Sequence, residues 1–427
     1  MASDVLRPVA AYPSAERNWI GEALFVGFLL LVFIGVTPFK SEPLAAEVGV
    51  VVQSGAGDAL RQLCYLAVFA MLVAAAGRQR GVEVLTALPI VLLTLLAWCV
   101  ASSLWSPDPS VSIRRAGLAT VLVVSAFLSV ETVGSERSLV LWRWVLLLVL
   151  VINLVAVKFV PAAVHQIGEV DPQLVGNWRG LYGHKNIAGS VGAMTALIFL
   201  FTPSRGFWSK LFDLAVVAVS VLFLIGTHSK ASMGLLAVAV LAGAAYRIAW
   251  RRELDRTIAL VAVGLILVVA TVLVAADQDA IARLLADPTQ FTGRTEIWNA
   301  EFAYIRDHPL LGSGFGTFAG TGKDSPLAPY ISGWVIGASN GHNGYLQLLV
   351  TVGGVGFALA VVAFLVSPAV YFWQRGALEL KALLFSLFVF LVLHNLMETD
   401  FLEGDGVTWV GFLLMLAMLR GLQEARV

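Results

Sequence analysis

The chain has 427 residues, of which 59% are hydrophobic and 13% are charged, with no formal net charge and a mean hydropathy of +0.85. This composition excludes an ordinary soluble globular protein. The sequence also lacks a basic stripe of the kind that binds nucleic acid. A hydrocarbon core about 30 Å thick needs about 20 apolar residues per helix, and the sequence supplies that pattern repeatedly.

In chain order, the apolar stretches predict about twelve transmembrane helices. They cover residues 19–36, 59–76, 82–104, 115–130, 139–160, 186–202, 208–226, 232–250, 257–276, 344–372, 379–397 and 407–420. Alternating strands of about ten residues are absent, so we expect an all-α integral membrane protein rather than a barrel. The polar leader, residues 1–18, has no small-residue cleavage site after it, which indicates a retained first helix.

Lys and Arg indicate the orientation of the bundle. Most of the 28 basic residues fall in segments that are cytoplasmic if the N-terminus is, and the densest run is YRIAWRRELDR at 246–256. Both termini are therefore expected in the cytoplasm. Cys64 and Cys99 lie within apolar spans, so no disulfide is expected in the outer loops.

One outer loop, residues 277–343, is about 67 residues long and far exceeds ordinary connections. Its many aromatic residues argue against disorder. We therefore expect about nine transmembrane helices over 19–276, then this loop with amphipathic helices, then the last spans and a short cytoplasmic tail over 344–427.

Several basic residues lie on the outer side, where the positive-inside tendency makes them unexpected. They are Arg114 and Arg115 at a helix start, Arg179 and Lys185 in a second loop, Lys230 in GTHSKAS, and Arg294 in FTGRTEIW. Their depth near the headgroups predicts an anionic ligand such as a lipid-linked phosphate or diphosphate. For any single residue, the alternative is snorkelling or bilayer anchoring.

Arg294 begins RTEIWNAEFAYIRDHP, which predicts a short amphipathic helix at the membrane surface that ends at Pro309. Free N–H groups and the helix dipole favour an anion at such a start, so a cation there indicates that an anion joins it. The second loop carries NWRGLYGHKN before a span, in which Tyr182, His184 and Lys185 accompany Arg179. A polar helix cap explains Asn186 but not these basic residues together.

SNGHNGY, residues 339–345, ends the long loop where a span begins. Imidazole titrates near neutral pH, so His342 is our candidate base for a hydroxyl, and Asn340 and Asn343 would orient the ring or the sugar. The alternative is a helix-cap or interfacial histidine.

Other polar features receive plainer interpretations. No histidine pair has metal-ligand spacing, the D-x-D string at 277–279 is interpreted as a solvated helix end, and no metal or other cofactor is expected. The acidic run with Glu398, Asp400 and Glu403 is interpreted as a solvated loop. GSGFGTF at 312–318 predicts a tight loop with aromatic anchors, and Gly353 in the following span predicts close helix packing.

With these motifs on one face, the chain resembles the O-antigen ligase/polymerase superfamily. The pattern FTGRTEIW, then HPLLGSGFGTF, then a histidine-asparagine pair at the loop end is fairly specific, and NWRGLYGHKN with THSKAS is more similar to the exopolysaccharide-polymerase branch. The resemblance implies metal-independent, inverting glycosyl transfer from an undecaprenyl-diphosphate-linked glycan. It implies that Arg179 and Arg294 hold the diphosphate and that His342 acts at the acceptor, with Lys185 and Lys230 as additions.

The sequence leaves three candidate functions open. The first is a polymerase of lipid-linked repeat units at the periplasmic face of the bacterial inner membrane. The second is a ligase that moves the glycan to another acceptor, such as lipid A-core. The third is a flippase or secondary carrier, which the crowding of polar residues on one face disfavours. Candidate partners are the lipid-linked donor, the glycan acceptor, membrane lipids, and chain-length regulators or export proteins.

Overall fold

The structure is a computed structural model that describes residues 18–39, 58–81, 86–169, 172–202, 206–251, 294–318, 326–330, 341–374 and 377–424. Its helices are α1 (Trp19–Phe33), α2 (Ala59–Arg80), α3 (Ile90–Ala101), α4 (Pro109–Val133), α5 (Ser135–Phe159), α6 (Lys185–Phe201), α7 (Phe207–Thr227), α8 (Lys230–Arg251), α9 (Arg294–Asp307), α10 (Gly344–Trp373), α11 (Leu378–His394) and α12 (Val407–Glu424). The described ranges contain no β-strand, and Val164 and Trp178 form an isolated antiparallel bridge.

Six of these helices, α2, α4, α5, α7, α8 and α10, are long and apolar enough to cross a membrane. Four more, α1, α3, α6 and α12, are shorter apolar helices. The predicted all-α class is therefore confirmed for the described residues, and the long apolar helices support a multi-pass membrane protein. The predicted span 257–276, the D-x-D string and Asn340 lie outside the described residues. The count of twelve spans accordingly stays a prediction.

Segment 395–406, between α11 and α12, is a meeting point for one end of the bundle, which we call the site end. The beginnings of five other described helices bond to this segment or to the last residue of α11. The pairs are Arg61–Asp405, Asn186–Glu398, Ser232–His394, Arg294–Glu398 and Gly344–Asn395. Helix N-termini, with their free N–H groups and partial positive charge, thus gather around this segment.

Side-chain caps fix where these helices begin. Asp58, Asp108, His184 and Asn343 each precede a helix and accept hydrogen bonds from backbone N–H groups of its first turn. Such caps satisfy donors that the helix itself leaves unpaired. The predicted asparagine cap of α6 is in fact provided by His184, one position before the helix.

The opposite end of the bundle is held by ion pairs between helices. Arg137 on α5 contacts Glu22 on α1 at 2.7 Å. Three further pairs are Arg80–Glu131, Arg143–Asp213 and Arg247–Glu379. The arginines in these pairs belong to the group predicted to face the cytoplasm. The pairs connect α1 with α5, α2 with α4, α5 with α7 and α8 with α11.

Helix α10 is broken at Gly353, whose backbone has φ of 67°. The loop after α9 enters the break and supplies the missing hydrogen bonds. Ser313 and Gly314 donate their N–H groups to the carbonyls of Val350 and Thr351, each at 2.8 Å, and Gly354 donates to Pro309 at 2.8 Å. Backbone polar groups at membrane depth need such internal partners. Gly353 therefore serves a chain break rather than the predicted helix–helix contact.

The inserted loop, residues 309–316, is also anchored to α3 and α4. Trp105, in the turn after α3, donates from Nε1 to the Leu311 carbonyl at 3.2 Å, and Phe315 donates its N–H to Ser102 Oγ at 2.9 Å. Arg115 bonds to the carbonyl of Gly316. The prediction of a tight loop with an aromatic anchor is confirmed. This loop fastens α9 to the bundle and so determines where Arg294 lies.

Candidate active site

Glu398 is the centre of a polar cluster at the site end. Its Oε1 accepts hydrogen bonds from Arg294 Nη2 at 2.8 Å and from Asn186 Nδ2 at 2.6 Å. Its Oε2 lies 3.1 Å from His342 Nδ1. These four residues, which we call the Glu398 cluster, come from segments 56 to 212 positions away from Glu398 in the chain.

Each member of the cluster lies at or near the end of a helix. Arg294 is the first residue of α9, Asn186 is the second residue of α6, and His342 precedes α10 by two residues. Gly344 donates its N–H to the carbonyls of Asn395, at 2.8 Å, and Glu398, at 3.1 Å. This backbone contact sets the position of the His342 turn against the segment that carries Glu398.

The backbone of His342 has φ of 49°, in the left-handed region that a residue with a Cβ seldom adopts. Its neighbour Asn343 accepts hydrogen bonds from the N–H groups of Tyr345 and Leu346, both at 3.1 Å, and so caps α10. Strained backbone positions of this kind concentrate at functional sites. The helix-cap role considered for His342 belongs to Asn343 instead.

Glu398 is ionised throughout the physiological range. Burial alone would favour its neutral form, but the hydrogen bond with His342 and the positive charge of Arg294 lower the pKa of Glu398 to about 2. A carboxylate accepts hydrogen bonds only, so the neutral His342 ring must carry its proton on Nδ1. Nε2 is then the basic nitrogen of the ring.

Arg294 also bonds through Nη1 to the carbonyl of Met397. Its side chain is 16% exposed. A guanidinium has five N–H groups, so these two bonds leave donors that are able to reach an anion. Arg294 therefore combines a fixed position with unused hydrogen-bonding capacity.

The beginning of α6 brings two more predicted residues toward the cluster. Burial lowers the pKa of His184 to about 4, so this imidazole is neutral, and it interacts electrostatically with Glu398 and His342. Lys185 Nζ donates to the His228 carbonyl at 3.4 Å. The short bond from Asn186 to Glu398 ties this helix start to the cluster.

Arg179 lies in a layer behind the cluster and has no exposed surface. Its Nη2 is 3.0 Å from Glu169 Oε1, and its Nε donates to the Ala162 carbonyl at 2.8 Å. Glu169 Oε2 is 2.6 Å from His165 Nδ1. The rings of His165 and His184 meet edge to face with centroids 5.7 Å apart. Arg179 thus reaches the cluster through a chain of side chains.

The remaining predicted site residues have separate environments. Tyr182 is buried and donates from its hydroxyl to the Phe33 carbonyl at 3.1 Å. Lys230 is exposed at the first residue of α8, and Arg114 is half-buried in the first turns of α4 beside Arg115. None of these three has a described bond to the Glu398 cluster.

Glu398 is the member of the candidate site that the sequence analysis did not select. Its interpretation as part of a solvated loop is wrong, because only 14% of its side chain is exposed and it holds an arginine and a histidine. The available signal was charge: Arg294 and the other outer cations required a counter-ion, and Glu398 follows a helix end on the same side.

The next carboxylate in segment 395–406 supports this arrangement. Asp400 Oδ2 lies 2.7 Å from His394 Nδ1, and Thr408 donates to Asp400 Oδ1 at 2.5 Å. His394 Nε2 is 3.5 Å from Ser232 Oγ on α8. Because these groups are buried, they fix the turn that presents Glu398 rather than contact a ligand.

No group of three metal-ligating side chains occurs within the described ranges.

The fold and the cluster define a multi-pass helical membrane protein with a charged, histidine-containing site at one end of the bundle. Residues 215–361 match a family model described as O-antigen ligase. The match includes Arg294, the inserted loop and His342, and it confirms the resemblance to the O-antigen ligase/polymerase superfamily. No curated protein matches the chain.

Proposed function

We propose that this protein is a glycosyltransferase of the bacterial inner membrane that polymerises undecaprenyl-diphosphate-linked repeat units at the periplasmic face. The observation that carries the proposal is the Glu398 cluster, in which one carboxylate holds a candidate base and a candidate diphosphate ligand. The matching family supports a lipid-linked glycan as the substrate.

The transfer step follows from the groups in the cluster. A hydroxyl oxygen of the acceptor attacks the anomeric carbon of the donor sugar, and its proton passes to His342 Nε2. The bond between the anomeric carbon and the diphosphate oxygen breaks, and the electron pair leaves with the polyprenyl diphosphate. Direct displacement inverts the anomeric centre and needs no metal. Glu398 stabilises the imidazolium that forms.

The leaving diphosphate needs positive groups that remain charged when partly dehydrated. Arginine is suited to this role, and Arg294 is the primary ligand in the proposal. Lys185 and the free N–H groups at the start of α6 add to it. Arg179 is proposed to act with them from the layer behind the Glu398 cluster. Lys230 and Arg115 are proposed to bind the diphosphate at the edge of the site. His184, Tyr182, Asn340, Asn343 and Arg114 complete the proposed substrate-binding set.

The second candidate is a ligase with the same chemistry, and the description of the matching family favours it. The two differ in acceptor. A polymerase adds repeat units to another lipid-linked chain, whereas a ligase delivers the glycan to an acceptor such as lipid A-core.

The deciding experiment uses the purified protein in detergent with a polyprenyl-diphosphate-linked oligosaccharide, with and without excess chelator, and resolves the products on a gel. A chelator-resistant ladder is expected for the polymerase. Product that forms only when lipid A-core is added would establish the ligase. No transfer to either acceptor, or substrate counterflow in proteoliposomes that His342→Ala leaves unchanged, would overturn the enzyme proposal.

The matched pair of variants is His342→Ala and His308→Ala. We expect the first to lower the transfer rate by about 10²–10⁴-fold, the usual contribution of a positioned base, without loss of donor binding. The second removes an exposed histidine on the far end of α9 and should leave the rate unchanged. Loss of donor binding in His342→Ala would make His342 a donor ligand instead.

A further inference from the structure

Glu301 is a buried carboxyl on α9, the helix that begins with Arg294. Its side chain has no exposed surface, and neither of its oxygens has a hydrogen-bond partner among the residues that the structure describes. Buried polar groups in folded proteins are almost always paired, because an unpaired one loses its bonds to water without replacement. An acid left in this state two turns from Arg294 needs a physical explanation.

The carboxyl packs directly against the backbone of Gly341, the residue before His342. A Cβ added to Gly341 would overlap Glu301 Oε1. Trp298, which lies between Arg294 and Glu301 on α9, donates from Nε1 to the Gly341 carbonyl at 2.8 Å. Positions 294, 298 and 301 fall on one face of a helix. This face therefore contacts both Glu398 and the turn that carries His342.

Burial raises the pKa of Glu301 to about 9, so the carboxyl is uncharged near neutral pH. Several charged or titratable residues lie on the described segments packed around it, and none of them bonds to it. They are Arg294, Glu296, Tyr304, Arg306, Asp307, His308, Tyr330, His342 and Tyr345. A neutral carboxyl can stay packed there, whereas an ionised one lacks both water and a cation.

We propose that Glu301 is a positioning residue whose uncharged carboxyl supports Gly341 and thereby fixes His342 relative to Arg294. The proposal rests on the function proposed above for the roles of His342 and Arg294. Its chemical basis is steric: the carboxyl fills the space under Gly341 and is held there only while it keeps its proton. A shift of about 1 Å between a base and its substrate can cost about 10²-fold in rate.

The first test compares the wild type, Glu301→Gln and the control Glu296→Gln, an exposed position on the same helix. The full-length protein in lipid nanodiscs is probed at pH 7 and pH 10 by millisecond-pulsed hydrogen–deuterium exchange of the peptide 341–347. We expect exchange, after correction for pH, to accelerate at pH 10 in the wild type and in Glu296→Gln but not in Glu301→Gln. Equal exchange in all three proteins at pH 10 would overturn the proposal.

The pH profile of transfer gives an independent measurement. Glutamine keeps the shape of the side chain and cannot ionise, so Glu301→Gln should retain the wild-type kcat and donor KM at pH 7. The wild type should lose kcat as the pH rises through about 9, and the variant should lose this alkaline limb. If the wild type transfers no glycan, the proposed function fails, while the exchange experiment still decides the role of Glu301.

A pair of size changes tests the contact itself. Gly341→Ala should accelerate exchange of the 341–347 peptide, because its new methyl group meets Glu301 Oε1. Glu301→Ala alone should also accelerate exchange of this peptide, because it removes the side chain that supports the turn. An unaltered exchange rate in Gly341→Ala, with a normal melting temperature, would show that Glu301 does not support this turn.

Discussion

At the scale of single residues, Glu398 balances two tasks that oppose each other. Through Oε2 it holds His342, which favours proton transfer, while through Oε1 it holds Arg294. The second contact partly neutralises the arginine before any donor arrives. A diphosphate must therefore compete with Glu398 for the guanidinium, so removing the carboxylate charge should have opposite effects on rate and on donor affinity.

We predict that Glu398→Gln lowers the single-turnover rate by about 10²-fold or more, because the imidazole loses the anion that orients it and stabilises its charged form. Donor affinity should be unchanged or higher, since Arg294 no longer has a competing carboxylate. Single-turnover transfer and donor titration measure the two quantities, with Glu296→Gln as the control. Weaker donor binding together with the slower rate would contradict this account.

Arg179 and Glu169 form a buried ion pair, and removal of one partner leaves the other charged and unsatisfied. Although burial of Glu169 opposes ionisation, its bonds with His165, the Gln166 N–H and Arg179 lower its pKa, so this carboxyl stays charged. We predict that Arg179→Ala costs about 3–5 kcal/mol of stability and lowers Tm. Thermal unfolding measures the change, and Arg114→Ala, at a partly exposed site, is the control.

The same variant separates two roles for Arg179. If Arg179 only holds the second loop in place, the variant should have a lower Tm. Its donor affinity, measured well below that Tm, should then fall only to the extent that the loop becomes more mobile. If it binds the diphosphate itself, donor affinity should fall by about 1.5–3 kcal/mol, the value of a charged hydrogen bond, with Tm unchanged. The predicted contact between Arg179 and the diphosphate is decided by that comparison.

At the scale of elements, the broken helix α10 links the inserted loop to the cluster. The break leaves backbone groups unpaired on both sides of Gly353, and residues 309–314 pair with them. The loop in turn continues from α9, which begins with Arg294. The distance between Arg294 and His342 therefore depends on how well this loop stays in the break.

We predict that Gly353→Ala costs about 2 kcal/mol or more, because Gly353 has positive φ and a Cβ there would overlap the Leu310 carbonyl. The variant should release the inserted loop and lower the transfer rate. Thermal unfolding and single-turnover transfer measure these effects. Gly117→Ala on α4 is the control, since a Cβ there meets open space and should stabilise the helix by a few tenths to about 1 kcal/mol. Equal Tm values in the two variants would contradict the role given to Gly353.

Hydropathy predicts the helices well and the break not at all. Apolar composition places eleven spans close to the described helices, because burial in lipid needs a continuous apolar stretch. The residues around Gly353 are equally apolar whether the backbone is helical or interrupted. Only the loop that pairs with the break distinguishes the two, and that pairing is a long-range contact.

The site shows the same division between local and long-range information. Arg294 and His342 can be selected from the sequence because each is unusual in its own segment. Arg294 is a cation at a helix start, and His342 is a histidine just before a transmembrane helix. Glu398 and Glu169 are ordinary in their own segments, and their importance comes from partners far away in the chain. Glycine-rich turns near Arg179 indicated a site, but not that the arginine would be buried.

At the scale of the whole molecule, the two ends of the bundle carry opposite kinds of polar structure. One end has arginine–carboxylate pairs that join neighbouring helices, and the other has the Glu398 cluster surrounded by helix beginnings. The arginines of the paired end are those that the positive-inside tendency assigns to the cytoplasm. This assignment predicts a periplasmic position for the Glu398 cluster, which is the position that the proposed function requires.

We predict that single cysteines at the two ends differ in their access to a membrane-impermeant maleimide added to intact cells whose outer membrane is permeable. The reporters are Arg306→Cys, exposed on α9, and Gln79→Cys, exposed at the end of α2, in a background that lacks Cys64 and Cys99. Arg306→Cys should be labelled directly, and Gln79→Cys only after the inner membrane is opened. The reverse pattern would put the Glu398 cluster in the cytoplasm. A periplasmic acceptor would then be out of reach, and the proposed polymerase would fail on topology even if every contact in the cluster were correct.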